Sequence, residues 1–431
     1  MDPAIITLCV LAVAAFLFIT ELIPLAVTAM AACTMLGILG VLPSKAVYAG
    51  LSNSTVVLFG GMFVIGAAMF KTGLAEAIGI AVVKKAGTNE IPLMAAIMTV
   101  TIILSAVSSN TGTVACLMPV IIGICQAAKI PASKELMPLA IAANVGGTIT
   151  MIGTPPNVIV TGALSAAGLP TFGFFEFAFI GVPLSIIILV YTLFVGRHFI
   201  PDKSSGAMDE EAIKAAKEEA GASDDNAPKS KTKMWISGLI LIGVVLCMAL
   251  DLKTVPLHTA AVTGAILCVV TGCLKEKEAY AGIDWVTIFL FAGMLSVATA
   301  MEKTGAGKLI ADSVVSMMGT NPNPYVLTAV LFLISNVLTQ FMSNTASAAL
   351  LAPIGISIAQ SIGADPKPVL MALGIAASCA FATPMATPPN TLVLGPGNFS
   401  FNDYAKVGVP MCVISLIVCL VVIPIVWPFG M

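Results

Sequence analysis

Apolar runs long enough to cross a bilayer follow one another along the chain, separated by short polar turns. The first covers 4–22, the next 23–42 and a third 55–70. A stretch over 91–127 is broken in its middle by Ser109-Asn110-Thr111, and one over 136–166 is broken by Thr154-Pro155-Pro156-Asn157. A run over 177–195 closes this half. The order then repeats: 234–250, 255–273, 286–301, a stretch over 324–362 broken at Ser343-Asn344-Thr345, one over 369–397 broken at Thr387-Pro388-Pro389-Asn390, and 407–427. Lipid offers no partner to open backbone, so such spans must be helices. The expected fold is an all-α polytopic membrane protein.

The two halves match in register. Leu58-Phe59-Gly60-Gly61-Met62 returns as Leu290-Phe291-Ala292-Gly293-Met294, and Lys71-Thr72-Gly73 returns as Lys303-Thr304-Gly305, both at an offset of 232. Pro24-Leu25 returns as Pro256-Leu257 at 232, the Ser-Asn-Thr blocks lie 234 apart and the Thr-Pro-Pro-Asn blocks 233 apart. Gene duplication is the simplest account. It divides the chain into a first repeat (1–196), a charged linker (197–233) and a second repeat (234–431).

Ser-Asn-Thr suits the tip of a hairpin of short helices, because these residues bond local backbone and favour caps over helix interiors. Two consecutive prolines remove two backbone donors and forbid a continuous helix. Each repeat is therefore expected to hold a re-entrant hairpin (about 91–127; about 324–362) and a broken helix (about 136–166; about 369–397). If the hairpins do not cross, each repeat crosses five times and the second enters inverted. About ten transmembrane helices result. Placing the linker in the cytoplasm and both termini outside puts 15 of the 20 Lys/Arg inside. That agrees with the positive-inside rule.

Composition narrows the class further. Hydrophobic residues make up 58 % of the 431 residues, charged ones 10 %, and mean hydropathy is +1.03. Soluble domains carry roughly a quarter charged residues, so a soluble protein is excluded. A net charge of −2 gives no reason to expect nucleic acid. The ten cysteines form no CxxC pair, and neither His198 nor His258 belongs to a metal motif, so the cysteines read as small hydrophobes. The first apolar run lacks a basic leader and a cleavage signal, and reads as a retained span. Residues 197–233 hold seven Lys/Arg and eight Asp/Glu and must be aqueous; within them 208–220 reads either as a short surface helix or as a flexible linker.

Discontinuous helices at matching points of inverted repeats are the best sequence pointer to a transporter's binding site. Helix N-termini there favour anions, and freed carbonyls suit a hard cation. Ser105 lies one turn before Ser109, and Thr339 one turn before Ser343, with Thr113 and Ser347 just past each tip. No Lys or Arg lies inside the proposed site. An anion there would have to be held by hydroxyls, amides, helix ends and co-bound cations, which gives Na+ coupling a physical motive. Glu21, with Asp251 as its loose counterpart, sits at a span end. No mid-span acid stands out as a proton carrier. A hydrolase using Ser109 or Ser343 would need a nearby base, which neither tip has. A receptor or scaffold would leave the duplicated breaks unexplained.

The paired Ser-Asn-Thr tips and paired Thr-Pro-Pro-Asn breaks resemble the divalent anion:sodium symporter family of dicarboxylate, citrate and sulfate carriers. The run Ala376-Ala377-Ser378-Cys379-Ala380-Phe381, followed by Pro384-Met385-Ala386-Thr387-Pro388-Pro389-Asn390, is similar to that family's signature. The resemblance covers nearly the whole chain. It implies a homodimer in the cytoplasmic membrane, working by an elevator motion. It places a first Na+ site on Ser105, Ser109, Asn110 and Gly153, and a second on Thr339, Met342, Asn344 and Ala386. Substrate would meet Asn110, Thr111, Thr154, Asn344, Thr345, Thr387 and Pro388. Thr383 and Pro396 depart from the family's pattern beside the second break, as does the lack of an extra leading helix. The expected function is Na+-coupled transport of a small di- or tricarboxylate, a succinate-like four-carbon acid first. Na+-independent exchange and carriage of sulfate or another oxyanion stay open.

Overall fold

The computed structural model describes residues 2–87, 89–203, 230–250, 255–318 and 323–429. The possible surface helix at 208–220 lies outside these. Among the described residues there are 20 α-helices and no strand, ten from each half in the same order. The first half gives α1 (Pro3–Thr20), α2 (Leu25–Ile38), α3 (Ser44–Val47), α4 (Ser54–Lys71), α5 (Leu74–Ala86), α6 (Glu90–Ser105), α7 (Asn110–Ala128), α8 (Ser133–Gly146), α9 (Pro155–Ala166) and α10 (Ala178–Phe194). The second gives α11 (Lys231–Ala249), α12 (Leu257–Val270), α13 (Glu276–Ala281), α14 (Trp285–Thr304), α15 (Ala306–Met318), α16 (Pro324–Thr339), α17 (Asn344–Ser361), α18 (Pro366–Ser378), α19 (Pro388–Leu394) and α20 (Phe401–Val426). The protein is an all-α polytopic membrane protein.

Local chemistry sets many of the helix starts. Asn53 accepts the N–H of Thr55 at 2.8 Å to cap α4, and Asp284 accepts that of Thr287 at 3.0 Å to cap α14. Pro155 and Pro388 open α9 and α19, where a missing N–H carries no penalty. Six described helices are long and apolar enough to cross a membrane unaided: α1, α4, α7, α11, α14 and α20. α1, α11 and α20 lie at the perimeter and leave large apolar side chains uncovered, among them Phe16, Trp235 and Ile425. α4 and α14, which carry the paired Leu-Phe-x-Gly-Met blocks, are mostly buried.

The halves pack reciprocally. α2 lies on α14 and α12 on α4; α8 meets α19 and α18 meets α9; α10 lies beside α20. Small residues permit the closest of these approaches. A Cβ on Gly61 would fall 2.8 Å from the Ala261 backbone, and one on the equivalent Gly293 would fall 2.7 Å from the Ala29 backbone.

One relation is not reciprocal. α14 packs on α9 and α17, with the Phe291 ring seated on Gly162, where a Cβ would come within 2.2 Å of it. The repeat makes Phe59 of α4 and Gly395 after α19 the matching pair. Phe59 instead lines a cavity that separates α4 from α19, and Gly395 is exposed.

Ion pairs tie loops to helix ends. Lys71 meets Glu278 at 3.2 Å, Lys203 meets Asp403 at 2.7 Å, and Lys367 meets Glu176 at 2.7 Å.

Candidate functional site

A cavity of ≈820 Å³ lies where the helix breaks meet, within the range of small-molecule sites. Four helices begin at its wall: α7 at Asn110, α17 at Asn344, α9 at Pro155 and α19 at Pro388. α9 and α19 open on Pro-Pro, which has no N–H to offer. α7 and α17 bring free first-turn N–H groups, and all four helices bring positive dipole ends, to this space. Ser109, Asn110, Thr111, Gly153, Thr154, Met342, Asn344, Thr345, Ala386, Thr387 and Pro388 all line it. Ser105 and Thr339 do not; both are fully buried one layer behind.

Those two hydroxyls hold the tips in place by the same bonds. Ser105 Oγ donates to the Ala143 carbonyl at 2.8 Å and lies 2.5 Å from Asn110 Oδ1. Thr339 Oγ1 donates to the Ala377 carbonyl at 2.9 Å and lies 2.5 Å from Asn344 Oδ1. The amide end of Asn110 that meets Ser105 also lies 3.1 Å from the Gly153 carbonyl and 3.2 Å from that of Ala143. With nitrogen at that end, the amide's two protons are shared among the three oxygens. With oxygen there, it would face only acceptors, so the nitrogen belongs at that end. The tips differ in their caps. Ser109 Oγ accepts the Gly112 N–H at 3.2 Å, whereas Ser343 makes no side-chain cap. Thr113 bonds the Ser109 carbonyl at 2.9 Å, whereas Ser347 Oγ is buried without a partner.

The broken helices are locked by their asparagines, which pair backbone carbonyls freed by the break. Asn157 Nδ2 donates to the carbonyls of Gly147 (3.3 Å) and Thr150 (2.9 Å). Asn390 Nδ2 donates to those of Ala380 (3.0 Å) and Thr383 (2.9 Å). Thr383, which departs from the family's pattern, has a structural role. Its hydroxyl donates to the Gln340 carbonyl at 2.6 Å, as the repeat-equivalent Thr150 does to Ala106.

Electrostatically the cavity holds no fixed positive side chain. Among the described residues that line it, the ionisable ones are Glu21 and Asp284. Sequence reasoning did not single out Asn144, which lines the cavity and bonds across to the second break. Nor did it find Gln340, whose Oε1 accepts the Ala382 N–H at 2.9 Å. Neither Asn144 nor Gln340 is matched in the other repeat, where Ala377 and Ala106 stand.

The fold and site define a helical transporter with a membrane-embedded polar cavity at paired helix breaks. The chain belongs to the citrate transporter family CitMHS, whose family description matches residues 15–367 and 348–429. It is 31 % identical to an uncharacterized transporter of Haemophilus influenzae, over 95 % of this chain and 89 % of that one. It is 26 % identical to the sodium-dependent dicarboxylate transporter SdcS of Staphylococcus saprophyticus, over 94 % of this chain and 83 % of that one. In fold it is similar to the YdaH transporter of Alcanivorax borkumensis, with a TM-score of 0.67, 13 % identity and both chains fully covered. The protein is thus a carrier of the divalent anion:sodium symporter type and not an enzyme.

Proposed function

We propose that the protein moves a small di- or tricarboxylate, a C4-dicarboxylate such as succinate first, across the cytoplasmic membrane together with Na+. The observation that carries this reading is the charge of the cavity. The N–H groups that open α7 and α17, with hydroxyls and amides, can hold carboxylate oxygens, but the ionisable side chains in the wall are acidic. A dianion buried among them without compensation is strongly disfavoured. Bound Na+ supplies the missing positive charge.

The first Na+ is held by Ser105, Ser109, Asn110 and Gly153, and the second by Thr339, Met342, Asn344 and Ala386. The Ser105 hydroxyl and the Gly153 carbonyl, which both border the Asn110 amide, support the first assignment. Carboxylate oxygens meet Asn110, Thr111, Thr154, Asn344, Thr345, Thr387 and Pro388. The dicarboxylate named for SdcS supports this choice of substrate.

The unequal seating of α4 and α14 supports alternating access. With termini outside and the linker inside, Glu21, Phe70 and Asp284 lie at cytoplasmic ends, so the cavity faces the cytoplasm. The Phe291–Gly162 seat closes the other side. An elevator step exchanges these roles, parting α9 from α14 and bringing α19 to α4, in each protomer of a homodimer.

Proteoliposome uptake of labelled succinate with and without an inward Na+ gradient tests the proposal. Uptake that follows the gradient supports symport; uptake that ignores Na+ and needs an internal dianion supports exchange. Asn110→Ala and Asn344→Ala are each expected to abolish uptake, and unchanged transport in both defeats the site assignment.

A further inference from the structure

The two breaks share their asparagine-to-carbonyl bonds, and the second adds a cross-repeat bond from Asn144. In the second break, Asn390 Nδ2 is spent on the carbonyls of Ala380 and Thr383. Its Oδ1 is therefore the end that faces α8. The Asn144 atom 3.0 Å from that oxygen has to be the amide nitrogen, and the same nitrogen lies 3.1 Å from Thr387 Oγ1. Thr387 Oγ1 also accepts the backbone N–H of Asn390 at 3.4 Å, sharing it with the Thr387 carbonyl at 3.0 Å. A hydroxyl has two acceptor lone pairs and one proton. With both lone pairs occupied, the proton must be donated elsewhere, and Thr387 borders the cavity.

The first break lacks this arrangement. Asn157 Nδ2 is spent in the same way, but Ala377 stands where the repeat would place a second Asn144. Asn157 Oδ1 is left buried without a partner, and Thr154 makes no side-chain cap bond. Its hydroxyl can turn to donate or to accept.

We propose that Asn144 is a positioning residue that makes Thr387 a fixed hydrogen-bond donor. The second repeat's side of the cavity then selects a pure acceptor, an anionic oxygen, while the Thr154 side also tolerates a donor group on the ligand. The inference rests on the anion reading given above and assigns the polarity within that site.

Uptake kinetics in proteoliposomes test it, using the full chain and labelled succinate, citrate and sulfate in turn. For whichever anion the wild type carries, Asn144→Ala is expected to raise KM about tenfold with Vmax within about twofold, the loss of one oriented bond to a charged group. Thr387→Val is expected to raise KM similarly, and the double variant no further, because Asn144 acts only through that hydroxyl. Asn144→Leu keeps most of the volume but cannot donate, and serves if the alanine variant does not fold; its KM is expected to rise by at least as much. Unchanged KM with lowered Vmax, or effects that multiply in the double variant, would overturn the inference alone. Failure of the wild type to carry any of the three anions removes the anion reading, and this inference with it.

Discussion

Replacing Asn390 by alanine is the sharpest perturbation of the helix breaks. The side chain is buried, donates to two carbonyls and accepts from Asn144. Its removal strands two acceptors at Ala380 and Thr383 and part of one donor at Asn144. At about 1–3 kcal/mol for each buried group left unpaired, the loss comes to about 3–6 kcal/mol. Asn157→Ala strands the Gly147 carbonyl, while that of Thr150 keeps the Gly153 N–H at 3.4 Å, and it also removes an amide oxygen that has no partner. Its cost is expected to be about 2–3 kcal/mol smaller. Unfolding of the purified protein by denaturing detergent, followed by tryptophan fluorescence, gives both values in one titration series. Equal losses at the two positions, or a larger loss at Asn157, would refute the argument that the second break is the more tightly bonded.

Three further outcomes follow from other parts of the molecule. Gly162→Ala puts a methyl against the Phe291 ring, so uptake is expected to slow at least about threefold and to recover when Phe291→Ala is added; no recovery would show that this seat does not limit transport. Glu135 is fully buried at the start of α8, with both carboxylate oxygens unpartnered, so Glu135→Gln is expected to be neutral or stabilising, and a loss above about 2 kcal/mol would contradict that. Asp403 lies ahead of the apolar run of α20. Burial pushes its carboxyl up, but the Lys203 ammonium at 2.7 Å and the Ser400 N–H and hydroxyl pull it further down, below its ordinary 3.8. A depressed carboxyl stabilises above its unfolded value and loses that contribution as pH falls through its folded value. Asp403→Asn should therefore weaken the protein at neutral pH and flatten its loss of stability below about pH 4, as read from unfolding midpoints across pH.

Much of the site was legible because duplication doubles each signal. A lone Ser-Asn-Thr would carry little weight, but two copies 234 apart, each followed by a Thr-Pro-Pro-Asn, locate both pairs of helix starts. The lack of fixed positive charge was legible as well: none of the four broken stretches (91–127, 136–166, 324–362 and 369–397) contains Lys or Arg. Comparing repeats also hides whatever one repeat alone possesses. Asn144 faces Ala377 in the alignment and Gln340 faces Ala106, so neither stands out, although both bond across the second break. Thr383 stood out as an oddity until its bond to the Gln340 carbonyl was seen to repeat that of Thr150. Glu135 escaped notice because a carboxyl at a helix start reads as capping, and only three-dimensional burial shows that no partner reaches it. The seating of Phe291 and not Phe59 is a difference in packing between the repeats, which two near-identical sequence blocks do not encode.

The central claim is that mobile cations take the place of fixed ones in the cavity. Succinate binding to the purified protein by titration calorimetry, with choline replacing Na+ at constant ionic strength, tests it most directly. Linkage requires Na+ and anion to raise each other's affinity by the same factor. The expected result is an affinity at least about tenfold weaker without Na+, a coupling of about 1.4 kcal/mol or more. Equal affinity in Na+ and choline would contradict the account.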